Sequence, residues 1–579
     1  MEKAQFKTKK AILFCLLSFI GLNLILQVYF KSLTLDEQMH IAAGLSYLKD
    51  WKISINVEHP PLVKVISSIF PYLANEISLP SYNDFKPYKG WSLLLWSIDS
   101  IKTNFSNLDL LTFETRIFPI LLTLILGYLI YKAAKELFGE VVGLIALFIY
   151  CFEPTFLGHG KLVHTDVPSA LFYFWYFYTL YKIYNKPCYK GFIYLSIIFG
   201  LAIVTKFSML ILVPTYLFVV VNIIFKKDWK RYCKILPLMA FIPWFIIATL
   251  YFFRISRLSE NEARLLIKWL YLPTECTTYL NYFFRYIPIY LPPAFLKGID
   301  MVWEHNHLGH FAYLLGHHSQ KGWWYYFPVA LCLKENLLIL VVFFLGLVYA
   351  LIKVLKDKKF LFIIFPIFYY SMFAFTSHIN IGIRHYLPVF PFLIIGASIF
   401  LERIFNRGNW PRLAILIFLF LIAFETVRTF PHYISYFNQL VGENGWRMLS
   451  DSNTEWGQDI KELARFCHRK NIKFLQVYAL NAWLLPYYGI GISLFRPIKA
   501  SFMETPGNNK KLFLLLEGEN KEAAHYLALG TSCLTLPPQA LLPLINFAKY
   551  QQIERVISEF RSKEPWAKVG KTIFLYKIK

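Results

Sequence analysis

Two adjacent carboxylates, Asp36 and Glu37, stand in the run Thr34-Leu35-Asp36-Glu37-Gln38-Met39-His40, directly after the first long apolar stretch, Ala11 to Phe30. About 20 apolar residues cross the hydrocarbon of a bilayer. The pair therefore falls where the chain first leaves a membrane, and a carboxylate fixed there can take a proton from a hydroxyl presented at the surface. Thr34 and Glu37 also match a capping box at a helix start, the acid reaching back to the cap amide. Capping accounts for Glu37 and leaves Asp36 as the candidate general base, held by its neighbour.

Further groups fall in the same alternation of apolar runs and loops. Glu58-His59-Pro60-Pro61-Leu62-Val63-Lys64 sets an acid, an imidazole and a lysine around a double proline, which on its own marks a loop-to-helix junction. His159-Gly160-Lys161-Leu162-Val163-His164-Thr165-Asp166-Val167-Pro168 brings another acid to a span entry, where Thr165 or Asp166 could equally act as a cap. Acids at bilayer depth are costly, and near an interface they line a cavity or pair with a cation. Lys206 and Arg384-His385 lie at span ends with few other basic residues; they are either snorkelling anchors or the cations that a lipid-borne phosphate needs. Glu58 and His59 are the candidates for holding a divalent cation if one is required. The stretch Glu304-His305-Asn306-His307-Leu308-Gly309-His310 with His317-His318 is rich in imidazoles, but no spacing matches a defined metal site, and a solvated loop explains it as well.

These residues need elements to position them. The chain of 579 residues is 56% hydrophobic and 19% aromatic with mean hydropathy +0.44, which excludes an ordinary soluble protein. Apolar runs at 11–30, 117–131, 141–152, 167–184, 191–204, 207–225, 235–253, 327–352, 360–376, 386–401 and 411–424, with Glu335 the one acid among them, predict about eleven transmembrane helices. The net charge of +24 argues for no nucleic-acid partner, because the basic residues cluster in alternate short loops, as in Lys226-Lys227 with Lys230-Arg231 and in Lys358-Lys359. That asymmetry puts the N-terminus and those loops in the cytoplasm. The loops 31–116 and 254–325 and the chain after about 430 are then extracytoplasmic. Residues 1–429 read as a transmembrane domain and 430–579 as a small α/β domain, with strands at Ile472–Tyr478 and Leu512–Glu517 and helices at Asp459–Arg469 and Ile553–Arg561. Of eight cysteines, Cys467 and Cys533 share that domain and could pair.

Taken together, Leu35-Asp36-Glu37, His59-Pro60-Pro61-Leu62 with Lys64, Thr165-Asp166-Val167-Pro168, Gly322-Trp323-Trp324-Tyr325-Tyr326-Phe327-Pro328, Arg384-His385 and Asp451-Ser452-Asn453-Thr454-Glu455-Trp456-Gly457-Gln458-Asp459 resemble segments of the protein O-mannosyltransferase-like membrane glycosyltransferases, a group that includes the aminoarabinose transferases. The resemblance implies a GT-C fold in a prokaryotic cell membrane, with helices in the first exterior loop around the active site. It implies transfer of a sugar from a polyprenyl-phosphate donor to a lipid, glycan or protein acceptor. Asp36 would be catalytic; Glu37, Glu58, His59, Lys64, Asp166, Lys206, Arg384 and His385 would bind substrate; no cofactor is assigned, a divalent cation being the one candidate. The rival class is a membrane transporter or lipid flippase, which would place its charged groups at the bilayer midplane on broken helices.

Overall fold

The computed structural model describes residues 2–225, 232–259, 290–494, 526–537 and 557–577, with 267, 276, 277, 279 and 554 between them. Every apolar run read from the sequence is helical over most of its length, and the run 327–352 is broken at Glu335-Asn336 into Tyr326–Lys334 and Leu337–Val354. Among the described residues eight helices are long and apolar enough to cross a membrane: Thr8–Phe30, Leu108–Phe138, Phe207–Ile224, Cys233–Leu250, Leu337–Val354, Lys358–Phe375, Ile383–Phe405 and Asn409–Thr429. The other three differ for physical reasons. Glu140–Phe152 is 13 residues and stops at Glu153, whose carboxylate accepts the amides of Thr155 (2.7 Å) and Phe156 (2.6 Å) and so starts a new short helix, Pro154–His159. Tyr189–Ile203 has 15 residues. Asp166–Asn185 is 20 residues long but rich in tyrosine, and it runs largely buried through the bundle. Its hydroxyls are satisfied there: Tyr173 donates to the Pro366 carbonyl at 2.7 Å, and Tyr176 meets Thr215 at 3.0 Å.

The loop after the first span folds into three helices, α1 (Leu35–Asp50), α2 (Leu62–Ala74) and α3 (Ser92–Asn104), with a 3-10 stretch Tyr82–Trp91 between the last two. α1 and α2 meet at Gly44, where a Cβ would stand 2.2 Å from the Lys64 carbonyl oxygen, so only glycine allows this approach. Lys64 itself turns inward, its ammonium donating to the Tyr47 hydroxyl (2.9 Å) and the carbonyls of Asn56 (2.7 Å) and His59 (2.6 Å). This clasp fixes the turn that carries Glu58 and His59.

Glu37 is spent on the same purpose. Its carboxylate accepts the Thr34 amide at 2.8 Å, as a capping box requires, and also the Val163 amide at 3.0 Å and two nitrogens of Arg116 at 2.8 and 2.6 Å. Both side chains of the ion pair are 0% exposed. The pair bolts α1 to the Leu108–Phe138 span.

Beyond the last span, residues 430–459 cross the helix ends before the α/β unit begins. Lys334 donates to the carbonyls of Ile434 (2.7 Å) and Asn453 (2.6 Å), and the Asn438 amide bonds the Leu333 carbonyl at 3.1 Å. The unit itself has helix Ile460–Arg469 and a five-stranded sheet. Phe474–Tyr478 lies in its interior, parallel to both Gly491–Leu494 and Tyr526–Gly530. The last of these pairs antiparallel with Ile573–Lys577, which pairs with Ala567–Val569 at the edge. The strand expected at Leu512–Glu517 lies outside the described residues, and of the expected Ile553–Arg561 helix residues 554 and 557–561 are described and helical. Cys467 and Cys533 are both free and separately buried, so the pairing read from the sequence does not form.

One ammonium joins the two parts. Lys31, at the end of the first span, donates to Asp459 (2.6 Å) and Glu462 (3.0 Å) and lies 2.9 Å from His432 Nδ1; the other Asp459 oxygen accepts the Thr572 hydroxyl at 2.6 Å.

The sealed Glu37–Arg116 pair makes a clear demand on stability. Arg116→Ala leaves a buried carboxylate without its counter-charge and should destabilise the fold by about 3–5 kcal/mol, whereas replacing both residues by apolar ones of similar volume should recover most of the loss. Thermal unfolding of the detergent-solubilised protein measures both; equal midpoints for the single and double variants would contradict this account.

Candidate active site

Asp36 opens the first turn of α1, one residue before the sealed Glu37, so the ion pair behind it sets its position. Its Oδ2 lies 3.2 Å from His164 Nε2 and 3.6 Å from an Arg384 terminal nitrogen. The same imidazole reaches Asp166 through Nδ1 at 2.6 Å, so His164 bridges the two acids. Asp166 is further held by Lys206 (2.6 Å) and Arg384 (3.0 Å). These contacts come from separate elements: the helix start at Asp166, the loop before Phe207, and the 3-10 turn Ile383–Val389 that opens a late span.

Exposure separates the acids. The Asp36 side chain is 24% exposed, against 1% for Asp166 and 0% for Glu37. Asp36 is open to a ligand, while Asp166 is buried among its three partners. Burial pushes the Asp36 carboxyl up, but the His164 hydrogen bond and the Arg384 charge outweigh it, and the group stays ionised below the usual carboxylate range. Glu37 is lowered in the same way, burial being overcome by the Arg116 charge and its hydrogen bonds.

Arg384 has one open edge. Its Nε donates to the Ser452 hydroxyl at 2.8 Å, one terminal nitrogen serves Asp166 and His164 (2.8 Å to Nε2), and the ring of Trp456 lies 4.1 Å below the guanidinium carbon. Among the described residues the other terminal nitrogen has only the long contact to Asp36. His385, next in sequence, does not join this cluster by a hydrogen bond; its backbone carbonyl accepts from Tyr370 at 2.7 Å and its Nε2 is buried without a partner among the described residues.

The predicted residues on the loop side divide. His59 packs edge-on to His40 at a 5.0 Å ring separation, and His40 in turn lies 5.2 Å from His164, so imidazoles wall the site. Glu58 turns the other way, to His305 at 2.6 Å, and His305 touches His310 at 2.9 Å. Burial pushes the Glu58 carboxyl up, but the His305 hydrogen bond and the neighbouring imidazole charges together outweigh it and hold the group below its usual range; the same bond lifts His305, so the two form an ion pair. Of the two cation candidates, Glu58 is paired with His305 and His59 packs against His40. His432, Asp459 and Glu462 also bring three ligand atoms within 4.8 Å of one another, but the Lys31 ammonium already bonds all three and fills the place of a cation.

Sequence reasoning did not single out His164, Ser452 or Trp456. His164 stood in a quoted cluster whose acid drew the attention. Ser452 and Trp456 belong to the Asp451–Asp459 run, where three acids and an indole in nine residues were the available signal.

Residues 105–247 match the dolichyl-phosphate-mannose-protein mannosyltransferase family model. That segment carries Arg116, His164, Asp166 and Lys206, and the match agrees with the glycosyltransferase resemblance read from the residues. Among solved structures the chain is similar to ArnT from Cupriavidus metallidurans in the apo state, at 13% identity and TM-score 0.46, over 96% of this chain and 95% of that one. It is also similar to the same protein bound to undecaprenyl phosphate (12% identity, TM-score 0.44, 94% and 96% covered). A third is the oligosaccharyltransferase AglB from Archaeoglobus fulgidus in complex with an inhibitory peptide and a dolichol-phosphate (11%, 0.47, 93% and 72%). No curated protein is detectably similar to the chain.

Burial pushes His59 and His310 down to about 4, so both imidazoles are uncharged at and above neutral pH and gain a proton only well below it. The pH–rate profile of His310→Gln should therefore superimpose, after scaling, on that of the unsubstituted protein above about pH 5. A limb lost in that range would show that the imidazole titrates there.

Proposed function

We propose that the protein is an inverting glycosyltransferase that moves a sugar from a polyprenyl monophosphate to a hydroxyl of an extracytoplasmic lipid, glycan or protein acceptor. The observation that carries this reading is the partly open Asp36 carboxylate facing the one free edge of Arg384 at 3.6 Å, at the ends of membrane helices. Asp36 accepts the proton of the acceptor hydroxyl as its oxygen bonds to the anomeric carbon. The bond from that carbon to phosphate oxygen breaks on the opposite face. Negative charge gathers on the departing phosphate, where the free edge of Arg384 and the Lys206 ammonium stabilise it without reorganising. Asp166 and His164 hold both cations and the base in register.

The remaining predicted residues act at one remove in this reading. Glu37 and Lys64 position the first exterior loop, His59 and His385 wall the site, and Glu58 with His305 are the residues that would hold a divalent cation if the reaction uses one. With the basic loops cytoplasmic, Asp36, Arg384 and the C-terminal unit face the extracytoplasmic side of a prokaryotic cell membrane. A transporter or flippase fits less well, because the charged groups sit at helix starts and not on broken helices at mid-membrane.

Asp36→Asn should lower transfer from a radiolabelled polyprenyl-phosphate sugar by about 10²–10⁴ with little change in the melting temperature. Arg384→Lys keeps the charge but not the planar fork, and should cost about tenfold or more. Near-normal transfer by Asp36→Asn would remove the base assignment, and movement of intact donor across vesicles without sugar transfer would favour the transporter.

A further inference from the structure

One contact in this cluster stops short. A carboxylate and a guanidinium close to about 2.7–2.9 Å when nothing intervenes, yet Asp36 Oδ2 stands 3.6 Å from the open edge of Arg384. We infer that His164 is a positioning residue that keeps these two from closing on each other, leaving the base free for an acceptor hydroxyl and the guanidinium edge free for the donor phosphate. The inference rests on the transferase reading above and deepens it.

The imidazole is built into the corner between the two charges. Its Nε2 lies 3.2 Å from Asp36 Oδ2 and 2.8 Å from the Arg384 terminal nitrogen that also serves Asp166. The ring cannot swing away. Asp166 holds Nδ1 at 2.6 Å, and Trp456 and His40 pack edge-on against it at ring separations of 5.1 and 5.2 Å. The backbone beside it is fixed as well, because the Val163 amide donates to Glu37 at 3.0 Å. Glu37 is the neighbour of Asp36, so one buried carboxylate ties the base and its spacer to a common point.

Arg384 has no freedom to advance either. Its Nε donates to Ser452 at 2.8 Å, one terminal nitrogen donates to Asp166 at 3.0 Å, and Trp456 lies under the guanidinium. The group able to move is the Asp36 side chain, which is 24% exposed and has no hydrogen-bond partner but His164 among the described residues. Without the imidazole, a turn of that side chain carries its carboxylate onto the free edge of Arg384. The resulting pair would use up the base and the phosphate cation together, and an ion pair shielded from water is costly to part.

The experiment measures binding of radiolabelled undecaprenyl phosphate, a polyprenyl phosphate without its sugar, to the full-length protein in nanodiscs. Asparagine puts its amide where Nδ1 stands, so His164→Asn keeps a partner for Asp166 and loses the contact to Asp36. It should weaken binding about tenfold or more, because a charged hydrogen bond must open before phosphate can enter. Adding Asp36→Asn removes the charge that closes the pair and should recover most of that loss, whereas Asp36→Asn alone should change binding far less. A ring that only filled space would cost the same factor whether residue 36 were Asp or Asn. His164→Ala, with and without Asp36→Asn, gives the same comparison if the asparagine variant does not fold. Equal factors in the two backgrounds would overturn this inference alone. An unsubstituted protein that neither binds undecaprenyl phosphate nor transfers sugar from a polyprenyl-phosphate donor would overturn the transferase reading with it.

Discussion

The Arg384 guanidinium is the part on which the rest of the site depends. A guanidinium is planar, always charged, and carries five N–H groups in a fixed fork. Here that fork is divided among three regions of the chain: Asp166 and His164 at the start of a buried helix, Ser452 in the segment after the last span, and Asp36 on the loop after the first span. Trp456 closes its lower face. A buried cation is tolerated only when paired and hydrogen-bonded, so the arginine cannot sit there unless all three regions have arrived. Its cost of burial makes it a register pin.

The same logic explains why the C-terminal segment is folded onto the helix that carries Asp36. The Leu35 amide donates to the Trp456 carbonyl at 2.9 Å and the Ser32 amide to Gln458 at 3.0 Å. Gln38, one turn into α1, exchanges bonds with Asn481 (3.1 Å) and Trp483 (2.9 Å). With Glu37 bonded to Arg116 on the other side, α1 is gripped between the spans and the C-terminal unit. The helix that carries Asp36 therefore has little freedom to drift, which a general base needs, because proton transfer falls off steeply with misplacement. Lys31 acts at the same joint, tying the end of the first span to Asp459 and through it to Thr572.

Much of this was readable in the residues because a charge near a membrane is expensive and therefore informative. Asp36, Asp166, Lys206 and Arg384 were picked out singly by that rule, and the structure brings the four together. What the rule cannot give is direction. Glu37 and Lys64 obey it equally but turn inward to hold backbone and Arg116, and nothing in their spacing distinguishes them from groups that point at a ligand. His164 was hidden for a different reason: an imidazole that links two carboxylates is recognised only once both are placed. The Asp451–Asp459 segment was visible as unusual but had no assignable role, since its partners lie in distant parts of the chain and its 3-10 turns carry no periodic signal. The apolar pattern found the long helices but not the shorter ones between them, such as Pro154–His159 and Pro293–Leu308, and it could not say that the tyrosine-rich one at Asp166–Asn185 would be enclosed by the others.

The arrangement of charges also favours one chemistry over its neighbours. Asp36 and Asp166 are matched by Arg384 and Lys206, so the four fixed charges sum to zero before a donor arrives. In the proposed transfer Asp36 gains a proton and becomes neutral while the phosphate, losing its sugar, goes from one negative charge to two. The net charge of the site does not change; a unit of negative charge only moves from the base to the leaving group. The free edge of Arg384 already stands 3.6 Å from Asp36. A cation in that position attracts the charge at both ends of its path, so the protein need not rearrange as the charge shifts, and preorganisation of this kind is the largest single contribution many enzymes make to a rate. Moving an ion through the site would instead leave this balanced cluster with nothing to do, since a passing charge would have to break the same pairs that hold the helices in register.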